Sequence, residues 1–367
     1  MNYSNQHLYS FCKEIFIKIG CPDDQASLAA DVLVSADLRG VDSHGIARLK
    51  GYVNLWDSGR LNPNPKMKVI YETQSTATLD ADKALGLISA PRAMEIAIEK
   101  AKKVGTGWVA VKNSNHFGIA AYHTMIALKH DMVGFGMTNA SPLVAPTFSK
   151  ERLLGTNPIS VAIPAKNQPP FVADLATTPT ANGKLELMMR KGEMTPEGFV
   201  QDRDGNPSID PSELKQGGAL LPLGGDRIHG SHKGYCLGAI VDIFSGVFSG
   251  ANYGPWVPPF VSFADYSEEQ VGDGIGHFLG AMRIDAFRPK EEFKDHMDNW
   301  IGRFRNSKAI EGKKVLIPGD PEVEKQEYRL KHGIPLEDFI VEDLQRLAKK
   351  FNLKFLERGK RNSNPKT

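Results

Sequence analysis

The sequence predicts an α/β chain: a mixed β-sheet covered by helices on both faces and flanked by a helical region built from both chain ends. Three observations predict it. Between about Lys68 and Pro289, short apolar segments alternate with segments of helical length, as in a sheet covered on both faces. Three of the apolar segments, MVGFGMTNA, ISVAIPA and FVADLA, follow one another without an intervening helix, so a mixed and not a uniformly parallel sheet is expected. Outside this region apolar residues recur every three or four positions, the period of amphipathic helices.

In order along the chain, helices are expected over 5–19 and 23–38, with Asp23 and Asp24 suited to the second helix's N-terminus. SHGIARLKGYVNLWDSG reads as a cap and a helix ending near Gly59. NPNPK then breaks the helical pattern and begins extended structure. The expected strands are TATLDAD, GWVAVKNS, MVGFGMTNA, ISVAIPA, FVADLA and HFLGAMRID, with helices over 88–104, 118–130, 179–191 and 234–248. The Gly-, Pro- and Asp-rich stretch 196–225 reads as a long loop over or beside a site. Helices return over 291–305, 322–331 and 336–351, and the tail ERGKRNSNPKT is expected to fray. The division that follows is a helical domain from 1–70 and 290–367 around an α/β domain over 71–289.

Composition narrows the function. The 367 residues can bury a sizeable core, and 41% hydrophobic with 24% charged residues is ordinary for a soluble protein. A net charge of +2 offers no excess of cations for a nucleic acid. Three cysteines, Cys12, Cys21 and Cys236, lack the spacing of a metal site or disulfide framework, which suits a reducing cytosol. The N-terminus has no basic segment followed by a long apolar run and is not read as a signal peptide. GYCLGAIVDIFSGVFSG is short for a membrane span and carries Asp242 in its middle; it reads as a buried helix. The pattern Gly274-x-Gly276-x-x-x-Gly280 approaches a dinucleotide fingerprint, but an alternating strand follows it where a helix is required.

Four segments carry candidate chemistry. In VDSHGIARLKGY, a helix capped by Ser43 would put His44, Arg48 and Tyr52 on one face. An arginine can grip a carboxylate with two prongs, and a neutral histidine can take up or release the proton of a hydroxyl. Ser43 can bond the imidazole and fix its tautomer. The same spacing suits a capped surface helix with a solvated stripe, and spacing alone does not separate the two. In KNSNHFG, His116 stands at a strand's carboxyl end, where α/β sheets present ligands, although Asn and Ser also favour plain turns. In FVADLATTPTANGK, Asp174 ends a strand and suits a ribose hydroxyl or a helix cap. In GSHKGY, Lys233 at a helix start conflicts with the helix dipole unless an anion or water relieves it.

Taken together, DLRGVDSHGIARL, KNSNHFG, TNASPLVAP, LGTNPISVAIPA, the DLAT…GK segment, GSHKGY and VLIPGDPE occur in one order between about Asn5 and Lys350. By these motifs the chain resembles the type 2 malate/L-lactate dehydrogenase family, which also contains ureidoglycolate, sulfolactate and diketogulonate oxidoreductases and a cyclic-imine carboxylate reductase. The resemblance implies a non-Rossmann α/β fold that binds NAD or NADP, with NAD the first expectation. It also implies a cytoplasmic homodimer acting on a small carboxylate, with no metal. Ser43 and His44 would be the relay and proton donor, with Arg48 the carboxylate anchor. Tyr52, Thr156, Asn182 and Gly183 would join Arg48 on the substrate side. His116, Phe117, Gly118, Ile119 and Ala120 would line the nicotinamide half. Asp174, Leu175, Ala176, His232 and Lys233 would hold ribose and phosphate, with further contacts from Arg303, Arg305, Asn306 and Ser307.

Two points stay open in the sequence. Asn182 replaces an arginine carried by many relatives, which bears on substrate or cofactor preference. Either His44 or His116 can be the acid/base, and Ser43 and Arg48 beside it favour His44. Hydride exchange between the nicotinamide and a 2-hydroxy or 2-keto acid is the implied reaction, with ureidoglycolate oxidation or cyclic-imine reduction as alternatives. A silent nucleotide-binding protein is the rival outside enzymes; the retained Ser43, His44, Arg48 and His116 argue against it.

Overall fold

A computed structural model describes residues 2–261 and 269–355; the expected fraying tail lies outside the described residues. The strands are β1 (Asn2–Tyr3), β2 (Lys68–Glu72), β3 (Thr76–Ala84), β4 (Thr106–Ser114), β5 (Met132–Thr138), β6 (Ile159–Ile163), β7 (Phe171–Leu175), β8 (Val200–Gln201), β9 (Pro207–Ser208), β10 (Ala219–Leu220), β11 (Ile275–Arg283) and β12 (Ile334–Pro335). The helices are α1 (Asn5–Lys18), α2 (Asp23–Leu38), α3 (Leu49–Asp57), α4 (Gly86–Val104), α5 (Ala120–Met125), α6 (Asn182–Lys191), α7 (Ser231–Asp242), α8 (Lys290–Arg305), α9 (Asp320–His332) and α10 (Asp338–Phe351).

Seven strands form one mixed sheet in the order β2-β3-β4-β11-β5-β6-β7. Only β3 and β4 run parallel, joined through α4; every other neighbouring pair is antiparallel. The strand β11 shows both faces at work. Leu279 and Ala281 join the core cluster of α4 residues Ala93, Met94 and Ala97, while the alternate residue Phe278 meets Phe244, beyond α7, edge-on. Each fully buried leucine or methionine here contributes roughly 1.5–3 kcal/mol. The glycine pattern at 274–280 leads into this strand and not into a helix, as expected, and Gly276 within it lets the Ser245 carbonyl approach to 1.8 Å of where a Cβ would stand.

Both chain ends build a second core. Leu8, Phe11 and Ile15 of α1 and Leu33 of α2 pack with Tyr52 of α3, Leu344 and Leu347 of α10, and Leu87 at the start of α4. The helix α8 does not join it; Asp298 of α8 accepts the amides of Lys166, Asn167 and Gln168 in the β6–β7 connection.

Several expectations change. The helix expected from Ser43 to Gly59 begins only at Leu49, because Asp42–His44 and Ile46–Arg48 are two separate 3-10 turns. The helix expected over 118–130 is α only over Ala120–Met125 and tightens to 3-10 over Ile126–His130. The helix expected from Pro179 starts at Asn182, since Thr177 turns its hydroxyl onto the Thr156 and Asn157 carbonyls. The stretch read as a long loop forms a small sheet, β10-β8-β9, whose Val200, Leu214 and Leu220 share a cluster with Leu143, Leu154 and Leu185. The glycine-rich helix is α only to Asp242 and widens to π over Ile243–Val247. It is only half buried: Ile240, Ile243 and Val247 are exposed on its outer face. Among the described residues no helix is long and apolar enough to cross a membrane.

Candidate active site

The turn from Asp42 to Arg48 is short of internal hydrogen bonds. His44 N donates to Val41 O and Arg48 N to Gly45 O, while Gly45 between them is extended, with φ −88° and ψ −143°. This break re-aims the side chains. His44 and Arg48 still face one cleft of about 720 Å³ of open space, but along a bent turn and not along a helix face. Ser43 lies behind them: its Oγ is 2.9 Å from His44 Nδ1, which leaves Nε2 for the cleft. Arg48 Nε donates to the Ser43 carbonyl at 2.6 Å, so the guanidinium is fixed from the same residue.

On the opposite side of this turn, α6 begins. Asn182 and Gly183 line the cleft, and Gly183 is required there: a Cβ would stand 2.5 Å from Arg48 Nη2 and 2.8 Å from Ser43 Cβ. The guanidinium therefore rests against the positive end of a helix that has no side-chain cap. Glu186 relieves this only at a distance, 3.9 Å from Nη2, and is itself held by Asn182 Nδ2 at 3.0 Å. Two positive features so placed call for an anion beside them in the cleft.

His116 comes from the carboxyl end of β4. Tyr52 Oη is 2.7 Å from its Nδ1, its ring stacks on Phe260 at 4.3 Å, and its other face turns to His44 at 5.7 Å. Tyr52, expected on the substrate side, does not line the cleft; it is fully buried, its hydroxyl spent on His116. With the phenol donating, Nδ1 is an acceptor and the neutral ring carries its proton on Nε2. Burial lowers the His44 pKa to about 4, helped by the charges of Arg48 and Lys184. Burial also pushes His116 well below its ordinary value, with His44 and Arg48 adding to the effect.

Thr138, Asn139, Ala140 and Ser141, at the carboxyl end of β5, form the far wall with Leu143, Pro158 and Ile275. Sequence reasoning quoted TNASPLVAP but gave these residues no role; their place after a strand was the available signal. Phe260 and Val261 close another side, and nothing in their PPFV context marked them.

Of the expected cofactor residues, His116, Phe117 and Gly118 line the cleft, as does Thr156 from the substrate side. Ile119 and Ala120 are buried at the start of α5. Asp174 and Leu175 end β7 on the surface, and one Asp174 oxygen accepts the Ala121 amide at 2.7 Å. This segment abuts the cleft wall, since Leu175 pairs with Ile159 and the Thr177 amide donates to Thr156 O at 2.9 Å. His232 accepts from Arg227, and Lys233 is exposed in the first turn of α7. Arg305 is already engaged by Asp320 at 2.8 Å and by Gln168, whereas Arg303 and Asn306 are exposed; Ser307 donates back to Phe304 O. The structure thus brings Ser43, His44, Arg48, His116, Thr156, Asn182 and Gly183 together and leaves 174–176, 232–233 and 303–307 outside the cleft. Among the described residues there is no cluster of three or more His, Cys, Asp or Glu able to hold a metal.

Known proteins resemble this chain over nearly its whole length. A family model described as malate/L-lactate dehydrogenase matches residues 3–345. The chain is similar to a malate dehydrogenase of Pyrococcus abyssi, 42% identical over 95% of both chains. It is 37% identical to an L-sulfolactate dehydrogenase of Methanocaldococcus jannaschii over 93% of this chain and 94% of that one. The solved malate dehydrogenase of Pyrococcus horikoshii superposes with a TM-score of 0.88 at 40% identity, covering 97% of each chain.

Proposed function

From the premise that the chain belongs to the malate/L-lactate dehydrogenase family, we propose that it exchanges hydride between a nicotinamide and C2 of a small 2-hydroxy or 2-keto carboxylate of the malate or lactate type. One observation carries this reading: a tautomer-fixed imidazole and a fixed guanidinium share a cleft with a helix N-terminus that has no side-chain cap and no acidic residue in its first turn. The cleft also suits a flat ring, because Phe117, Gly118, Leu143 and Pro158 offer apolar walls beside the polar ends of β4 and β5. When bound, the nicotinamide supplies the hydride acceptor or donor.

The substrate carboxylate sits on the cleft side of Arg48, beside the first turn of α6, and displaces the distant Glu186 as partner of the guanidinium. This aims C2 and its oxygen at His44. In oxidation, neutral His44 takes the hydroxyl proton at Nε2 while Ser43 holds Nδ1. In reduction the carboxylate offsets the charge of Arg48 that disfavours the imidazolium, so His44 can load and return a proton. His116, its Nδ1 accepting from Tyr52, presents an Nε2 proton to the developing alkoxide or to the nicotinamide amide.

Asp174–Ala176 with His232 and Lys233 are proposed for ribose and phosphate, and Arg303, Arg305, Asn306 and Ser307 for the distal end. A carboxylate at Asp174 favours a free 2′-hydroxyl over a phosphate, so NAD is proposed before NADP. A cytoplasmic homodimer is part of the proposal, supported by three free cysteines and by the outer stripe of Cys236 and Ile240 of α7 with Ile243 and Val247 of the π turn after it, which a second copy would cover. The deciding assay crosses pyruvate, oxaloacetate and related 2-keto acids with NADH and NADPH at the nicotinamide absorbance. Turnover with at least one pair is expected; silence across the panel overturns the reading.

A further inference from the structure

We propose that Asp37, at the end of α2, is a positioning residue for this reaction: with Arg329 of α9 it clamps the turn that carries His44 and Arg48. The inference rests on the reading of His44 and Arg48 given above and adds residues that do not line the cleft.

The turn needs such a clamp. A helix would hold residues 42–48 through successive amide-to-carbonyl bonds, yet here Gly45 is extended and the Ile46 amide finds no carbonyl acceptor in the turn. Its partner is the carboxyl group of Asp37, whose burial favours the neutral form, with Ile46 N donating to Oδ2 at 2.7 Å. Asp37 is 1% exposed, and its other oxygen lies 2.0 Å from where a Cβ on residue 45 would stand. The carboxyl group therefore touches the backbone immediately after His44 at two points, and only glycine at 45 admits it. The preceding end is fixed from another helix. Arg329, 6% exposed, donates to the Asp37 carbonyl and to both oxygens of Asp42, with Nη2 3.1 Å from Oδ2. Ser43 and His44 are thus held between Asp42, gripped by α9, and Ile46, gripped by α2. Arg48 inherits the placement through its bond to the Ser43 carbonyl. A small tilt here would move Nε2 of His44 away from C2, and misplacement of about 1 Å can cost a hundredfold in rate.

The test compares four full-length variants with pyruvate or oxaloacetate and NADH. Asp37→Ala removes the acceptor for Ile46 N; kcat is expected to fall by roughly tenfold, as for loss of a buried hydrogen-bond partner. Asp37→Asn keeps an acceptor oxygen and is expected to recover most of that loss. Gly45→Ala, at a φ that alanine accepts, pushes the carboxyl group aside and is expected to reproduce Asp37→Ala even if the latter does not fold. Arg329→Met is expected to give a smaller fall in kcat. Nitrogen-15 shifts of His44 supply a readout independent of turnover: the Ser43-bonded tautomer should be lost in Asp37→Ala and Gly45→Ala and kept in Asp37→Asn. Folded Asp37→Ala or Gly45→Ala with wild-type kcat and an unaltered His44 spectrum overturns the clamp. Full activity in His44→Asn would instead overturn the assignment of the proton carrier, while the His44 spectra would still decide the clamp.

Discussion

Two pairs of histidines, one on the cleft and one packed on Phe117, differ in what lies in front of them. His44 and His116 face the cleft, each with one ring nitrogen tied back to a hydroxyl, Ser43 or Tyr52. His123 and His277 stack against Phe117 at 4.7 and 4.8 Å and are fully buried. His277 spends both nitrogens inside the protein, Nε2 on Ser114 at 2.8 Å and Nδ1 on Thr138 at 2.7 Å. Burial lowers the pKa of all four, to about 4 for His123 and about 3 for His277. A depressed pKa therefore marks burial in both pairs; a free nitrogen aimed at a cavity marks only the first.

Substitutions should separate the pairs. The largest effect is expected from His44→Asn, with kcat for keto-acid reduction falling about 10²–10⁴-fold at unchanged fold, the range for a positioned general acid. Equal activity would place His44 with the structural pair. Next, Arg48→Ala should raise KM for the 2-keto acid by roughly 10–100-fold, as expected for a lost charge-assisted hydrogen-bond pair, read by steady-state kinetics. Tyr52→Phe keeps the packing and frees His116 Nδ1; a kcat loss of about fivefold with KM little changed would show the phenol acting through the imidazole, since a neutral hydrogen bond is worth about 1 kcal/mol. His277→Leu should leave kcat within about twofold and lower stability by roughly 1–3 kcal/mol in urea, the cost of unpairing buried hydroxyls. A large kcat loss there would break the comparison.

The pH dependence reads the buried pair. In the unfolded chain each histidine takes up a proton near 6.5, whereas folded His277 stays neutral down to about 3 and His123 to about 4. The unfolded state then binds more protons, so stability is complete above 6.5 and falls progressively as pH drops toward 3. Urea midpoints at pH 7, 5.5 and 4.5 should decline in that order, less steeply in His277→Leu.

Much of this was legible in the sequence. The ends of α2 and the seven-strand alternation less its edge strand β2 follow from periodicity, and the meeting of His44, Arg48 and His116 from the family resemblance that the motifs carry. What escaped was fixed by tertiary contact. A helix from Ser43 was reasonable by spacing, but Asp37 seizes the Ile46 amide and Gly45 yields to it. Tyr52 reads as a pocket residue until His116, 64 positions away, claims its hydroxyl. Asn182 was expected to alter a ligand contact; in the structure it also holds Glu186, which no local pattern reveals. The outer face of α7 is apolar enough to be mistaken for core, because composition does not say which side meets the sheet.

The position of β11 has a consequence for synthesis. It lies between β4 and β5 in the sheet although more than 130 residues follow β5 before it begins. While a ribosome is still making that stretch, β4 and β5 each present an open edge of unpaired amides and carbonyls, with the cleft wall at 138–141 unsupported. Nascent chains stalled before Ile275 should therefore be protease-sensitive and prone to self-association, and full-length chains should refold slowly for their size.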